Sequence, residues 1–197
     1  MSCNIVVLYY SRDGNTRRMA NQIARSITNV EGCSPVLRTV PEISRADTST
    51  PESTDKVQAP FITKTDLHQA DGLIVGSPTR FGNMASPLKY FFDSTSDLWL
   101  QGARCDKPSA VFTSSSTMHG GQESTLLTML LPLLHHGMIM VGIPYTEPAL
   151  NSTSSGGTPY GASQVSGHNI KATLTQDEKT LCSTLGQRVA KIALKLK

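Results

Sequence analysis

The stretch IVVLYYSRDGNT, Ile5 to Thr16, decides how the rest of the chain is read. Six consecutive apolar residues, three of them β-branched, suit a strand covered on both faces. The run then changes abruptly to Ser11, Arg12, Asp13, Gly14, Asn15 and Thr16. Beyond it Met19, Ala20, Ile23, Ala24 and Ile27 recur at spacings of three and four, one face of a helix. Asn15 or Thr16 is placed to cap that helix. A buried strand that feeds a helix through a glycine turn gathers backbone N–H groups at a positive dipole end, a cradle for an anion. Neither GxGxxG nor GxxxxGK[ST] is present, so the cradle offers room for one phosphate rather than a dinucleotide or triphosphate.

Outward from this stretch, strands and helices alternate. Val36–Val40 is a second strand; Leu73–Val75 is a third, closed by Gly76, Ser77 and Pro78. Ser86 and Pro87 read as N-cap and first helical residue of a helix carrying Leu88, Tyr90, Phe91 and Phe92. Ser109–Phe112 is a fourth strand, and Gly120-Gly121 precede a leucine-rich helix in which Pro132 is expected to make a kink or break. Met138–Val141 is a fifth strand. Thr175 and Glu178 form a capping box for a final helix whose stripe is Leu181, Leu185, Val189, Ile192 and Leu196. Such alternation predicts α/β architecture: a parallel sheet with right-handed crossovers and helices on both faces, in one domain spanning 1–197. Two segments stand outside it, a polar surface excursion at about 41–60 and a Gly/Ser-rich loop at about 151–167. Ligands on such sheets lie beyond the carboxyl ends of the strands, where strand order reverses. The loops after strands one, three and four are therefore the places to look, and all three are rich in Ser, Thr, Gly and Asn.

Charge and cysteine usage narrow the class. A net charge of +3 with no basic block argues against a nucleic-acid partner. No apolar run approaches the roughly 20 residues a membrane span needs. Cys3, Cys33, Cys105 and Cys182 show neither CxxC nor metal-like spacing with histidine, so no metal is expected, and isolated thiols point to a reducing compartment. Met1 leads directly into the first strand, which leaves no room for a signal peptide. The expected location is cytoplasmic.

Chemistry-bearing residues concentrate in the same loops. Ser11, Asn15 and Thr16 supply donors and Gly14 permits a close turn, although an ordinary capped turn reads the same way. Asp13 repels an anion and is expected to point outward, with Arg12 or Arg17 offsetting its field. Pro78, Thr79, Arg80, Phe81, Gly82 and Asn83 put a rigid turn, a hydroxyl, a guanidinium, an aromatic ring and an amide within six positions, a set suited to a planar heteroaromatic ligand. The bland alternative makes Phe81 core and Arg80 a solvated side chain. Ser114 to Thr117 and His119 follow strand four, as a ring edge or simply a polar turn. Trp99 is core or a stacking platform. His135 and His136 point apart on a helix, which argues against a shared metal. No HExxH, no GxSxG elbow and no Cys–His pair appears, so the chemistry is expected to come from a bound cofactor.

VVLYYSxxGNT, GSPTRFGNM, the Trp99 segment, HGGQE (His119–Glu123), LLPLLHHGM (Leu130–Met138) and GGTPYGA (Gly156–Ala162) resemble the WrbA-like family of FMN-dependent NAD(P)H:quinone oxidoreductases, within the flavodoxin-like superfamily. The resemblance runs in register from the first strand to about residue 162. It implies a flavodoxin-like three-layer α/β/α sandwich with a five-stranded parallel sheet of order 2-1-3-4-5, noncovalent FMN, NADH or NADPH as co-substrate, a quinone acceptor and a homotetramer. Carried across by position, Ser11, Arg12, Asp13, Gly14, Asn15 and Thr16 hold the FMN phosphate. Pro78, Thr79, Arg80, Phe81, Gly82 and Asn83 line the ring, as do Ser115, Ser116, Thr117, Met118, His119 and Gly120. His135 corresponds to a flavin-proximal histidine and Trp99 to an aromatic beside the quinone and nicotinamide pocket. Arg80, Trp99 and His135 are the implied catalytic residues. Asp13 departs from the family, some members of which carry an aromatic residue there. The implied cycle is ping-pong: hydride passes from nicotinamide to flavin, and a quinone then takes two electrons in the same space. An FMN electron carrier of flavodoxin type, a flavin reductase or azoreductase, and a regulatory partner of a DNA-binding protein are the competing readings.

Overall fold

The apolar run of the first stretch becomes strand β1, Cys3–Tyr9, an interior strand of a parallel sheet. The computed structural model describes residues 2–43, 59–167 and 172–197. Helix α1 (Asn15–Ile27) leads to β2 (Cys33–Thr39), then α2 (Lys64–Gln69) and β3 (Gly72–Pro78). Next come α3 (Ser86–Asp93), α4 (Ser96–Leu100), β4 (Pro108–Ser115) and α5 (Gln122–His135). The chain ends through β5 (Ile139–Met140), α6 (Ala149–Ser152), β6 (Ala162–Val165) and α7 (Gln176–Leu196). Sheet order is β2-β1-β3-β4-β5, as expected, with β6 in addition.

Alternation along β1 explains why both faces are covered. Ile5, Val7 and Tyr9 pack in one buried cluster with Met19 and Ile23 of α1 and with Leu181 and Leu185 of α7. Val6, Leu8 and Tyr10 pack in the other with Leu88, Phe92, Leu126 and Met129 of α3 and α5. A strand apolar at every position has no solvent face to offer, so helices must lie on both sides. Each such Ile or Leu contributes about 1.5–3 kcal/mol relative to exposure, and an Asp at position 7 would forfeit one cluster. Close packing reaches Gly76, where an added Cβ would lie 2.0 Å from the Phe112 ring. The first three α7 stripe residues, Leu181, Leu185 and Val189, are fully buried, but Leu196 at the helix end is exposed.

The sixth strand departs from the five expected. β5 pairs only with Pro108 and Ser109 of β4, whereas β6 pairs with Phe112–Ser115 on the same edge. The last strand position is thus filled by two pieces, with α6 and residues 153–161 between them. The sequence ASQV holds too few apolar side chains to announce a strand. Its backbone pairing and burial of Ala162, Ser163 and Gln164 create it instead. Most of the segment read as a loop at 151–167 is therefore fixed structure. Added Cβ atoms at Gly156 and Gly161 would lie 2.1 Å from the carbonyls of Ser163 and Val111, so two glycines of GGTPYGA serve close backbone approach. Glu178 pins the same segment: its carboxylate accepts from Ser155 Oγ, and from the N–H groups of Gly156, Val165 and Thr175.

Several boundaries shift. β4 continues three residues beyond Phe112 and takes Thr113, Ser114 and Ser115 into the sheet. Ala85 rather than Ser86 is the N-cap of α3. Pro132 lies inside an unbroken α5, four residues before the helix gives way to the turn at His136, so the missing N–H falls in the last turn. Most of the excursion at 41–60 lies outside the described residues.

Candidate functional site

The first helix owes its N-terminus to glycine, not to the expected Asn15 or Thr16. Gly14 is the N-cap with φ 84°, and no side chain caps α1. Its N–H donates to Ser11 Oγ at 3.0 Å, which closes the turn. The helix start therefore presents its positive dipole end to whatever lies beyond the strand end. Asn15 is occupied sideways, since its Oδ1 accepts from Arg18.

Three strands bring their loops to that point. Thr16 Oγ1 lies 2.9 Å from Ser114 Oγ at the end of β4. Thr79 N donates to the Ser114 carbonyl at 2.9 Å, which fixes the start of the third loop against β4. Ser77, buried at the end of β3, accepts from Ala85 N at 2.8 Å and so holds the loop's far end. Thr125 Oγ1 donates to Thr79 Oγ1 at 2.7 Å, tying the same loop to α5. The result is a cleft of ≈ 380 Å³ lined by Ser11, Arg12, Asp13, Asn15, Thr16, Pro78, Thr79, Arg80 and Ser114–Ser116, with Ser166 from the end of β6.

Within this cleft hydroxyls dominate, and two guanidiniums outweigh one carboxylate. Asp13, expected to point outward, is among the residues that border the cleft. Arg80 curls back so that Nη1 donates to the Thr79 carbonyl at 2.8 Å. An uncapped helix start, neutral donors and net positive charge fit a phosphate monoester carried on a larger ligand. FMN has that form, so the donor set fits it.

Phe81 and Gly82 form a two-residue turn. Arg80 N donates to Asn83 O at 2.8 Å and Asn83 N returns a bond to Arg80 O at 3.0 Å. Both central residues have positive φ, 52° at Phe81 and 74° at Gly82, the pattern of a type I′ turn. A bulky residue at positive φ is strained, at a cost on the order of 1–3 kcal/mol. The strain holds the Phe81 ring fully out in solvent beside Arg80, which excludes the core role. Strain of this kind concentrates at ligand sites.

The loop after β4 divides. Ser115 and Ser116 reach the cleft; Thr117, Met118, His119 and Gly120 form its exposed outer rim. Ser115 Oγ donates to the Thr117 carbonyl at 2.8 Å and Gln122 Nε2 to the Met118 carbonyl at 2.9 Å, which fold the rim onto α5. Trp99 and His135 are not brought to the cleft within one chain. They line a separate open cavity of ≈ 910 Å³ with Phe92, Thr95 and His136. His135 ends α5 whereas the cleft is at its start, about 20 Å of helix away. His136 is buried, with Nε2 3.0 Å from Thr95 Oγ1; burial and the nearby Arg104 guanidinium lower its pKa, so it is a neutral core imidazole. Among the described residues no group of three or more His, Cys, Asp or Glu side chains is placed to hold a metal ion, and no helix is long and apolar enough to cross a membrane.

Ser166 was missed by sequence reasoning, because nothing in the apparent loop signalled that it follows a strand. Tyr10 was passed over as the end of an apolar run. Its hydroxyl donates to the Glu42 carboxylate at 3.0 Å; burial and that carboxylate push its pKa up to about 12.

A family profile described as NADPH-dependent FMN reductase matches residues 3–149. A protein of Geotalea daltonii named NAD(P)H dehydrogenase (quinone) is 42% identical, covering 98% of this chain and 97% of its own. One of the same name from Syntrophobacter fumaroxidans is 40% identical, covering 98% of each. Among solved structures, a flavodoxin, WrbA-like protein from Agrobacterium tumefaciens superposes over 100% of both chains with a TM-score of 0.69 at 23% identity. A flavodoxin from the domain Archaea gives 0.64 at 19% identity, covering 97% of this chain and 99% of its own. At those identities the structural likeness speaks for the flavodoxin-like fold.

Proposed function

The chain belongs to the NADPH-dependent FMN reductase family, and we propose that it is an FMN-dependent NAD(P)H:quinone oxidoreductase working by ping-pong exchange. The net reaction is NAD(P)H + H⁺ + quinone → NAD(P)⁺ + hydroquinone. Full-length likeness to proteins named NAD(P)H dehydrogenase (quinone) supports it. The single structural observation that carries it is the cleft where the uncapped start of α1 meets the β3 and β4 loops.

Bound FMN supplies the two-electron relay between nicotinamide and quinone. The start of α1, with Ser11, Asn15 and Thr16, holds the phosphate. Thr79 and Ser114–Ser116 flank the ring-binding part of the cleft. Arg80, anchored through its own loop, sets a positive charge where electron density builds up, an effect worth about 2–4 kcal/mol for a well-placed donor in a dry site. The exposed Phe81 ring borders the space that the two substrates use in turn.

The working unit is a homotetramer of single flavodoxin-like domains in the cytoplasm. Trp99 and His135 lie too far from their own cleft to serve it and act on the flavin of a neighbouring copy. Leu127, Leu131 and Leu134 form an exposed stripe along α5, and Trp99 and Leu100 are exposed on α4, where Trp99 shares a cavity with Pro132 and His135 of α5. That apolar surface is available for subunit contact. The four cysteines are free thiols, as a reducing compartment requires.

The test is spectroscopic. The protein should take up one FMN per chain, bleach on mixing with NADPH under anaerobic conditions, and recover its colour when benzoquinone is added. Steady-state double-reciprocal plots at several quinone concentrations should be parallel. Converging lines would refute the ping-pong order; a chain that binds FMN yet is not reduced would be an electron carrier. Rapid turnover with free flavin or an azo dye but not quinone would favour the reductase reading that the family description carries.

A further inference from the structure

A second cavity opens beside the cleft. Arg12 and Arg80 line both, so they stand at the passage between the two. The second cavity is open to solvent, has a volume of ≈ 660 Å³ and an aromatic lining of Tyr10, Phe81 and Tyr90. Lys89 lines it as well, and because Lys89 also borders the Trp99 cavity it marks the side away from the cleft. Among the described residues that line it, three cations stand against the carboxylate of Asp93, with Glu42 engaged by Tyr10 behind the wall; around aromatic rings and next to a phosphate cradle, they make a cavity suited to an anionic planar ligand.

We infer that this cavity receives the adenosine tail of the nicotinamide co-substrate and gives the enzyme a preference for NADPH. The inference rests on the activity proposed above. Order along the cavity sets the roles. With nicotinamide at the flavin, the pyrophosphate passes between Arg12 and Arg80, the adenine ring lies against the exposed Tyr90 side chain, and the 2′-phosphate meets Lys89. Tyr90 is 68% exposed, so a stacking ligand need displace no packed neighbour. Lys89 pairs with Asp93 at 2.6 Å, but both side chains are more than half exposed and such a pair holds its lysine only weakly. A dianionic phosphate competes well against it. Asp93 is then the element that restrains NADPH affinity, and its removal should act in the opposite direction to removal of Lys89.

Binding of adenosine 2′,5′-bisphosphate to the FMN-loaded protein, measured by calorimetry, tests the site without turnover. Lys89→Gln should weaken it about fivefold, Tyr90→Ala by a similar factor, and Asp93→Asn should tighten it. Lys89→Arg should restore most of the loss. Adenosine 5′-monophosphate, which lacks the 2′-phosphate, should respond to Tyr90→Ala and be nearly indifferent to Lys89→Gln. In stopped-flow reduction of the bound flavin, Lys89→Gln should lower the NADPH-over-NADH affinity ratio by the same factor. Bisphosphate binding that ignores both Lys89→Gln and Tyr90→Ala, or an Asp93→Asn variant that weakens it, would overturn the assignment. If neither nicotinamide reduces the wild-type flavin, the activity itself is wrong, and the calorimetric series still decides the cavity.

Discussion

The hydroxyls of Thr16 and Ser114 lie 2.9 Å apart although 98 positions separate them in the chain. Thr16 is in the first turn of α1 and Ser114 is near the end of β4, so this contact fixes the distance between the anion cradle and the far wall of the cleft. Both residues are buried. Thr16→Val keeps the shape and removes the hydroxyl, leaving Ser114 short of a partner. We expect FMN affinity to fall roughly tenfold, as for a lost buried hydrogen bond of about 1–1.5 kcal/mol. Fluorescence titration with FMN measures it, and an unaltered Kd would remove Thr16 from the binding site.

Phe81 permits a test in which stability and function move in opposite directions. Its positive φ is unfavourable for any residue with a Cβ, and its exposed ring has no packing to lose. Phe81→Gly relaxes the strain but adds freedom to the unfolded chain, leaving a net gain on the order of 0.5–1 kcal/mol in urea unfolding. Quinone turnover should drop in the same variant. A variant that is less stable than the parent would show that the ring is held by contacts rather than by strain.

Glu178 joins the start of α7 to the segment between β5 and β6 through one carboxylate that accepts four hydrogen bonds. Glu178→Ala leaves the buried Gly156 N–H and the part-buried N–H groups of Val165 and Thr175 without this acceptor and should cost about 2–4 kcal/mol. Because Val165 precedes Ser166 at the cleft, FMN affinity should fall with it. Chemical unfolding and flavin titration on the same preparation show whether the two losses travel together.

Asp66 provides a pH signature of the fold. Its carboxylate is held at about 2, below the usual 3.8, by the hydrogen bonds from Arg38 first and the Thr63 hydroxyl next. A carboxylate with a depressed folded-state pKa stabilises fully above its unfolded value and loses that contribution as pH falls toward the folded one. Wild type and Arg38→Gln should therefore differ most above pH 4 and converge between pH 4 and 2. Urea midpoints across that range are the measurement; a gap that widens on acidification would contradict the assignment.

How much of the fold is legible in the residues alone follows from how each element is stabilised. β1 and β3 are covered on both faces, so their apolar runs name them, and the alternating helices then dictate a parallel sheet. β6 owes its existence to backbone pairing with β4, and no side-chain pattern marks ASQV. The capping box at Thr175 and Glu178 was legible because both partners are local. The cap of α1 was not, since Gly14 works by backbone conformation alone. In the cleft, Ser11–Thr16 and Pro78–Arg80 are legible as clusters of donors at strand ends, and Ser166 is invisible for the reason that β6 is. The roles of Trp99 and His135 are implied by a family resemblance alone, and within one chain both lie at a cavity apart from the cleft.

The divided edge beside β4 has a bearing on how this protein can change. Because β5 and β6 are anchored independently, the stretch joining them can grow or shrink without altering the sheet's register. Beyond it, the end of β6 brings Ser166 to the cleft. Sequence change at the exposed turn of Tyr145 and Thr146 is thus borne without moving the strand ends that build the cleft, whereas Gly156, Gly161 and the Glu178 contacts hold the rest of the stretch to one course.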